Sequence, residues 1–368
     1  MKKLFSILVL ALSCSALFAQ QTAVALLNHE GTISTFYGSD ALVQAHKAAA
    51  EGDVITLSGG AFTAPSSWTK AVTLRGAGCY EGAENTREVT FIGNTFTLAI
   101  PVEIETTMII EGINFKSDFS FSTRVKNTTF LKCYFATGIS HVCCNTNFYN
   151  CILNGLSFIA SAIEVADVNL FNCYVDDPRN NSGYVSVKLT NCIVRYSCTN
   201  PGYSSGYSIS ALQYAKYNNC IFLGNIKVSS ASGFNIPTTC TATNCLSCYC
   251  AYQDASDIQD AIYDYNIFDE MSNTTNKYLE EGKPLNETIS SVFKTYNGTN
   301  SFTFNETYEL TDEAKATYLG SDGTQVGLYG GMGFDLIPST LQITKCEVSP
   351  RSTKDGKISV SIEVGIPE

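Results

Sequence analysis

A short phrase recurs along the middle of the chain: an apolar residue, two residues ending usually in Asn, then Cys, then two mostly apolar residues. It reads Phe130-Leu131-Lys132-Cys133-Tyr134-Phe135, then Phe148-Tyr149-Asn150-Cys151-Ile152-Leu153, then Leu170-Phe171-Asn172-Cys173-Tyr174-Val175. Leu189-Thr190-Asn191-Cys192-Ile193-Val194 and Tyr217-Asn218-Asn219-Cys220-Ile221-Phe222 follow, with a weaker copy at Ala242-Thr243-Asn244-Cys245-Leu246-Ser247. The cysteines stand 18, 22, 19, 28 and 25 residues apart. Val72–Gly76, Val89–Gly93 and Ile109–Phe115 keep the rhythm without the cysteine. A period of about 20 residues, made of short β-rich runs with no helix between them, is the mark of a β-solenoid. Each period is one coil of two or three strands, and equivalent residues of successive coils lie ~4.8 Å apart along the axis.

The phrase assigns roles to its residues. A tight bend between two strands needs a residue tolerant of positive φ, which suits Asn150, Asn172, Asn191, Asn219 and Asn244. Stacked in register, their amides are able to hydrogen-bond along the axis. Cys133, Cys151, Cys173, Cys192, Cys220 and Cys245 then point inward and stack as small, apolar, free thiols. This matters because the chain carries 15 cysteines behind an export signal, a combination that ordinarily reads as disulfides. Zinc is the competing reading for Cys240, Cys245, Cys248 and Cys250, but their spacing is not a paired knuckle and Cys245 already has its place in the stack.

The signal is residues 1–19: the basic Met1-Lys2-Lys3, an apolar core from Leu4 to Leu12, and a cleavage region at Ala16-Leu17-Phe18-Ala19-Gln20. A lipid anchor at Cys14 is the alternative. The core is too short to span a bilayer, and no other segment is long and apolar enough. The formal charge is −11, or about −13 once Lys2 and Lys3 are removed, with no basic cluster. That excludes nucleic acid, whose phosphates demand Lys and Arg. The reading is therefore a secreted, cell-surface or periplasmic protein.

These features together resemble the pectate-lyase-like superfamily of right-handed parallel β-helices. The family commonly places an Asn stack at one corner of its coil. Asp40 to Leu57 looks like its cap helix, at about 40–51, followed by the first strand; Ser39 suits the N-cap and Gly52 the stop. Gly320 to Gly331 resembles the closing motif of secreted bacterial β-helix proteins of unknown function. The resemblance spans residues 22–335 and implies a fold, not a chemistry. Residues 251–300 break the rhythm, with acidic, helically spaced residues from Asp254 to Asp269, and read as an irregular excursion on the side of the solenoid. The tail, 336–368, reads as a β-hairpin: Lys357 to Val364 alternates, Leu341 to Val348 is its partner, and Asp355-Gly356 the turn.

Relatives of the fold include polysaccharide lyases and glycoside hydrolases, and hydrolysis needs paired carboxylates. Between residues 119 and 250 the carboxylates are Glu164, Asp167, Asp176 and Asp177, and only the last two form a pair. His29, His46 and His141 lie in no family catalytic motif. The stronger candidate is a face of loops following the cysteine phrase. Asp176, Asp177 and Arg179, then Arg195, Tyr196, Tyr203 and Tyr207, emerge in one phase and bring carboxylates, arginines and tyrosines together, as a carbohydrate site requires. Three functions follow: a non-catalytic protein binding a polysaccharide or surface protein, a lyase or hydrolase, or an assembly component working through its tail. No cofactor or metal is expected; calcium enters only with the lyase reading, and no motif supports it.

Overall fold

A computed structural model describes residues 23–80, 89–101, 103–122, 127–142, 145–158, 166–179, 185–196, 215–224, 241–248, 262–264, 267–268, 292–295, 306–335, 342–348 and 360–365. The chain forms two compact units, residues 1–334 and 335–368. The first is a parallel β-solenoid. Its first sheet opens on an antiparallel hairpin, Val24–His29 and Thr32–Tyr37, and continues with parallel strands from Val54–Leu57 to Ile262–Asp264. The second sheet runs from Gly60–Phe62 to Ile267–Phe268, and a shorter third sheet from Phe96–Leu98 to Pro178–Arg179. One coil visits all three in turn, as in Thr146–Tyr149, Ile152–Leu153 and Leu156–Phe158. The second unit is an antiparallel pair, Gln342–Val348 against Val360–Gly365, with Asp355-Gly356 outside the described residues. Among the described residues no helix is long and apolar enough to cross a membrane.

Register explains the core. Phe148, Leu170, Leu189 and Tyr217 are partners on successive strands of the first sheet and are all buried. Large rings fill the N-terminal half in parallel stacks, with Phe96 on Phe119 at 5.0 Å and Phe130 on Phe148 at 5.0 Å. The six phrase cysteines form one buried row of free thiols at the corner between the first and second sheets. Each thiol donates to a carbonyl two residues back: Cys173 Sγ lies 3.2 Å from Phe171 O, and Cys192 Sγ 3.2 Å from Thr190 O. Burial pushes the thiols of Cys133, Cys173, Cys192 and Cys245 well above the ordinary value, which keeps them protonated donors.

At that corner Lys132, Asn150, Asn172, Asn191, Asn219 and Asn244 all adopt φ between 49° and 58°. The amides of the last three do not bond one another along the axis. They bind the segment that follows the helix Asp312–Thr317. Asn191 Nδ2 donates to Leu328 O at 2.7 Å and Gly330 O at 2.8 Å, Asn219 Nδ2 donates to Gly327 O at 3.3 Å, and Asn244 Oδ1 accepts from Ser321 N at 2.9 Å. The approach is close enough to demand glycine. A Cβ on Gly320 would sit 2.6 Å from Asn244 Cγ, and one on Gly330 would collide with Gln325 O and Asn219 Nδ2. The segment also packs on the outward face of the second sheet at Leu246. Ile193, Ile221 and Leu246 are register partners that point away from the main core and are nonetheless buried, and a Cβ on Gly327 would strike Leu246.

Two sequence expectations change here. The cap helix is Ala41–Ala48, with Asp40 rather than Ser39 at its N-cap; Ser39 Oγ instead donates to the Asp40 carboxylate at 3.1 Å. Within the expected excursion, Ile262–Asp264 and Ile267–Phe268 add another rung to the first and second sheets, so the coil outlasts the cysteine phrase. The register of the sheets below outweighs the helical spacing of the acidic residues.

The cap contains two histidines that titrate in opposite senses. His29 Nδ1 lies 2.8 Å from Asp53 Oδ1, and the hydrogen bond to Asp53 raises its pKa. His46 stacks on Trp68 at 4.3 Å, its Nε2 accepts from Thr69 N, and burial followed by Lys70 pulls its pKa down to about 4. A histidine with a depressed folded pKa binds its proton better when unfolded, so stability falls as pH drops from 6.5 toward 4. We expect His46 to account for about 3 kcal/mol of acid loss, the energy of a pKa lowered from 6.5 to about 4. The difference in unfolding free energy between wild type and His46→Gln, followed from pH 7 to pH 4, checks this; parallel curves would refute it.

Candidate functional site

Strand alternation places the cluster. In Tyr174–Asp176 the middle residue, Val175, faces the core, so Tyr174 and Asp176 face outward. Ile193 and Arg195 do the same on the next rung, and Asp176 is the register partner of Arg195. Their side chains meet, with Arg195 Nη1 2.9 Å from Asp176 Oδ2. Arg195 also hydrogen-bonds Tyr174. On the preceding rungs Asn154, which follows the register partner of Val175, donates from Nδ2 to Tyr134 Oη at 3.1 Å. Asp177 then turns the corner into the third sheet with φ 46°, a position held one coil earlier by Gly155, and its N–H donates to Arg195 O at 2.8 Å. Aspartate is among the few side chains that accept this region.

The electrostatics oppose the carboxylate. Asp176 is 18% exposed and Arg195 27%. Burial pushes the Asp176 carboxyl up, Arg195 pulls it down, Asp177 pushes it up again, and the net shift is upward. The folded state therefore holds this proton more tightly than the unfolded chain, and stability declines as pH rises from 3.8 through the raised value. Burial and Asp176, opposed by Arg195, push the Tyr174 phenol up to about 12, so it stays protonated. Asp176 Oδ1 is buried without a hydrogen-bond partner among the described residues. The arrangement gathers a carboxyl, a guanidinium, an amide and two phenols, groups of the kind that bind hydroxyls.

Of the residues singled out in the sequence, the structure brings Asp176 and Arg195 together and sets Asp177 beside them. Asp176 to Arg179 lie within the coil rather than on an insertion: Pro178–Arg179 is the last described strand of the third sheet, paired with Leu156 and Ser157. Arg179 and Tyr196 are placed by their backbones, Tyr196 opposite Gly224. Tyr203 and Tyr207 lie outside the described residues, as do Cys240 and Cys250. Cys245 is occupied in the thiol row. Sequence reading missed Tyr134, Asn154 and Tyr174. The available signal was the residue after each cysteine, where tyrosine in two coils replaces the usual Ile or Leu. Among the described residues no three His, Cys, Asp or Glu side chains gather as a metal site. Comparison with family models, curated proteins and solved structures finds no match to this chain.

Proposed function

We propose that this is an exported, non-catalytic β-helix of the right-handed, pectate-lyase-like kind, which binds a glycan on its lateral face at Asp176 and Arg195. The observation that carries the reading is a half-buried carboxyl paired with Arg195, its pKa raised by burial, with one oxygen unsatisfied. A pair kept at a cost to stability is a candidate for function, because a structural ion pair in that place would gain from being apolar. Binding is preferred to hydrolysis because Asp176 and Asp177 are chain neighbours, whereas a hydrolytic pair flanks the scissile bond from two sides. The apolar start at Leu4 to Leu12 supports export.

A glycan array read with wild type and Asp176→Asn tests this. Asp176→Asn is expected to lose at least tenfold in affinity for the glycans bound, while its unfolding midpoint at pH 7 stays equal or rises. A lower midpoint with unchanged binding would make the pair structural. Release of unsaturated products from a uronate polymer by catalytic amounts of protein would make the protein a lyase.

A further inference from the structure

The outer face of the first sheet differs from that of the second. The second carries the buried Ile193, Ile221 and Leu246, whereas the first stays polar and open where Lys188 and Lys216 stand. These two lysines are direct register partners on neighbouring strands, both exposed, and their neighbours Val187, Leu189, Ala215 and Tyr217 are buried. Like charges directly opposite on a sheet face repel. Neither lysine makes an ion pair or hydrogen bond among the described residues; Asp167, the nearest acid in the register, faces Ser186 instead. A cationic pair without a direct ion-pair partner is the more notable on a chain with 34 acidic and 23 basic residues.

The pair ends a track. In the same outward row the preceding rungs hold Asn147 and Asn169, joined by an amide hydrogen bond of 3.0 Å. The adjacent row holds Tyr149 and Phe171, stacked at 5.2 Å and 7°, followed by Thr190 and Asn218. The track is straight because each rung repeats the last at ~4.8 Å. Two lysines whose backbones lie one rung apart can both reach a single tetrahedral oxyanion, with Thr190 and Asn218 in the adjacent row. A planar carboxylate is better gripped by the fork of an arginine, and this face offers none at that point. We propose that Lys188 and Lys216 straddle the sulfate or phosphate ester of a modified glycan whose chain runs along the first sheet over Asn169 and Asn147. This is a second site, separate from Asp176 and Arg195.

Titrations with dextran sulfate, dextran phosphate and unmodified dextran of equal length test it. Wild type is expected to bind at least one esterified polymer and not the unmodified one, the stronger ester naming the group. Lys188→Gln/Lys216→Gln should lose at least tenfold, Lys188→Arg/Lys216→Arg should retain binding within about threefold, and Asp176→Asn should be unaffected. Equal binding of unmodified dextran, or an unchanged Lys188→Gln/Lys216→Gln protein, would overturn the proposal. So would an equal loss in Lys47→Gln/Lys116→Gln, since the attraction would then be diffuse charge. All four lysines lie on the surface, and far-ultraviolet circular dichroism confirms that the variants fold.

Discussion

Asn191→Ala is expected to destabilise the solenoid by about 3–5 kcal/mol. Two costs add. The backbone at residue 191 has φ 49°, which alanine adopts at roughly 1–2 kcal/mol. The side chain also donates to two buried carbonyls, Leu328 O and Gly330 O, and losing each bond costs about 1–1.5 kcal/mol because the carbonyl is left unsatisfied. The two costs separate experimentally. Asn191→Gly accepts the backbone and loses only the bonds, so it should fall about 2–3 kcal/mol below wild type and above Asn191→Ala. Asn191→Asp keeps the shape but turns an oxygen toward both carbonyls, and should be worse than glycine. Urea unfolding of the three variants measures the order. Asn191→Gly as stable as wild type would show that the closing segment contributes nothing through this residue.

Phe119→Ala is expected to cost about 4 kcal/mol, whereas Phe171→Ala should cost about 1 kcal/mol. Both residues are phenylalanines in strands of the same solenoid, and the difference lies in which way they point. Phe119 is fully buried and meets five rings, from Phe115 at 4.9 Å to Phe121 at 5.9 Å. Its loss leaves a cavity that stacked coils cannot collapse without breaking register. Phe171 points outward, is half-buried, and stacks on Tyr149 alone among the described rings. Equal losses in the two variants would mean that inside and outside have been assigned wrongly. Thermal and denaturant midpoints under one buffer suffice, because the comparison is internal to one protein.

Much of this was open to reading in the residues. The spacing of Asn-Cys phrases carried the solenoid because a coil must return to the same place each time. A residue type repeated at that interval is therefore a column in space. Asn172 and Asn191 could be put at a corner on backbone grounds, since few side chains accept positive φ. Cys173 and Cys192 could be put inside on size and polarity. These are local requirements, met within one coil, and they leave a local trace.

Contacts between distant parts of the chain leave no such trace. Ile193 and Val194 both read as core, yet only Val194 faces the coil interior, and Ile193 is buried on the outward face. The Asn191 amide was expected to meet its own stack, and it binds Leu328 and Gly330 instead. Tyr134, Asn154 and Tyr174 join Asp176 and Arg195 through register across four rungs, which depends on where each coil begins and how long its corners are. Periodicity in the sequence determines that the chain coils and which residues stack. Only the tertiary structure decides which side of each strand meets solvent, because that depends on what else in the chain comes to cover it.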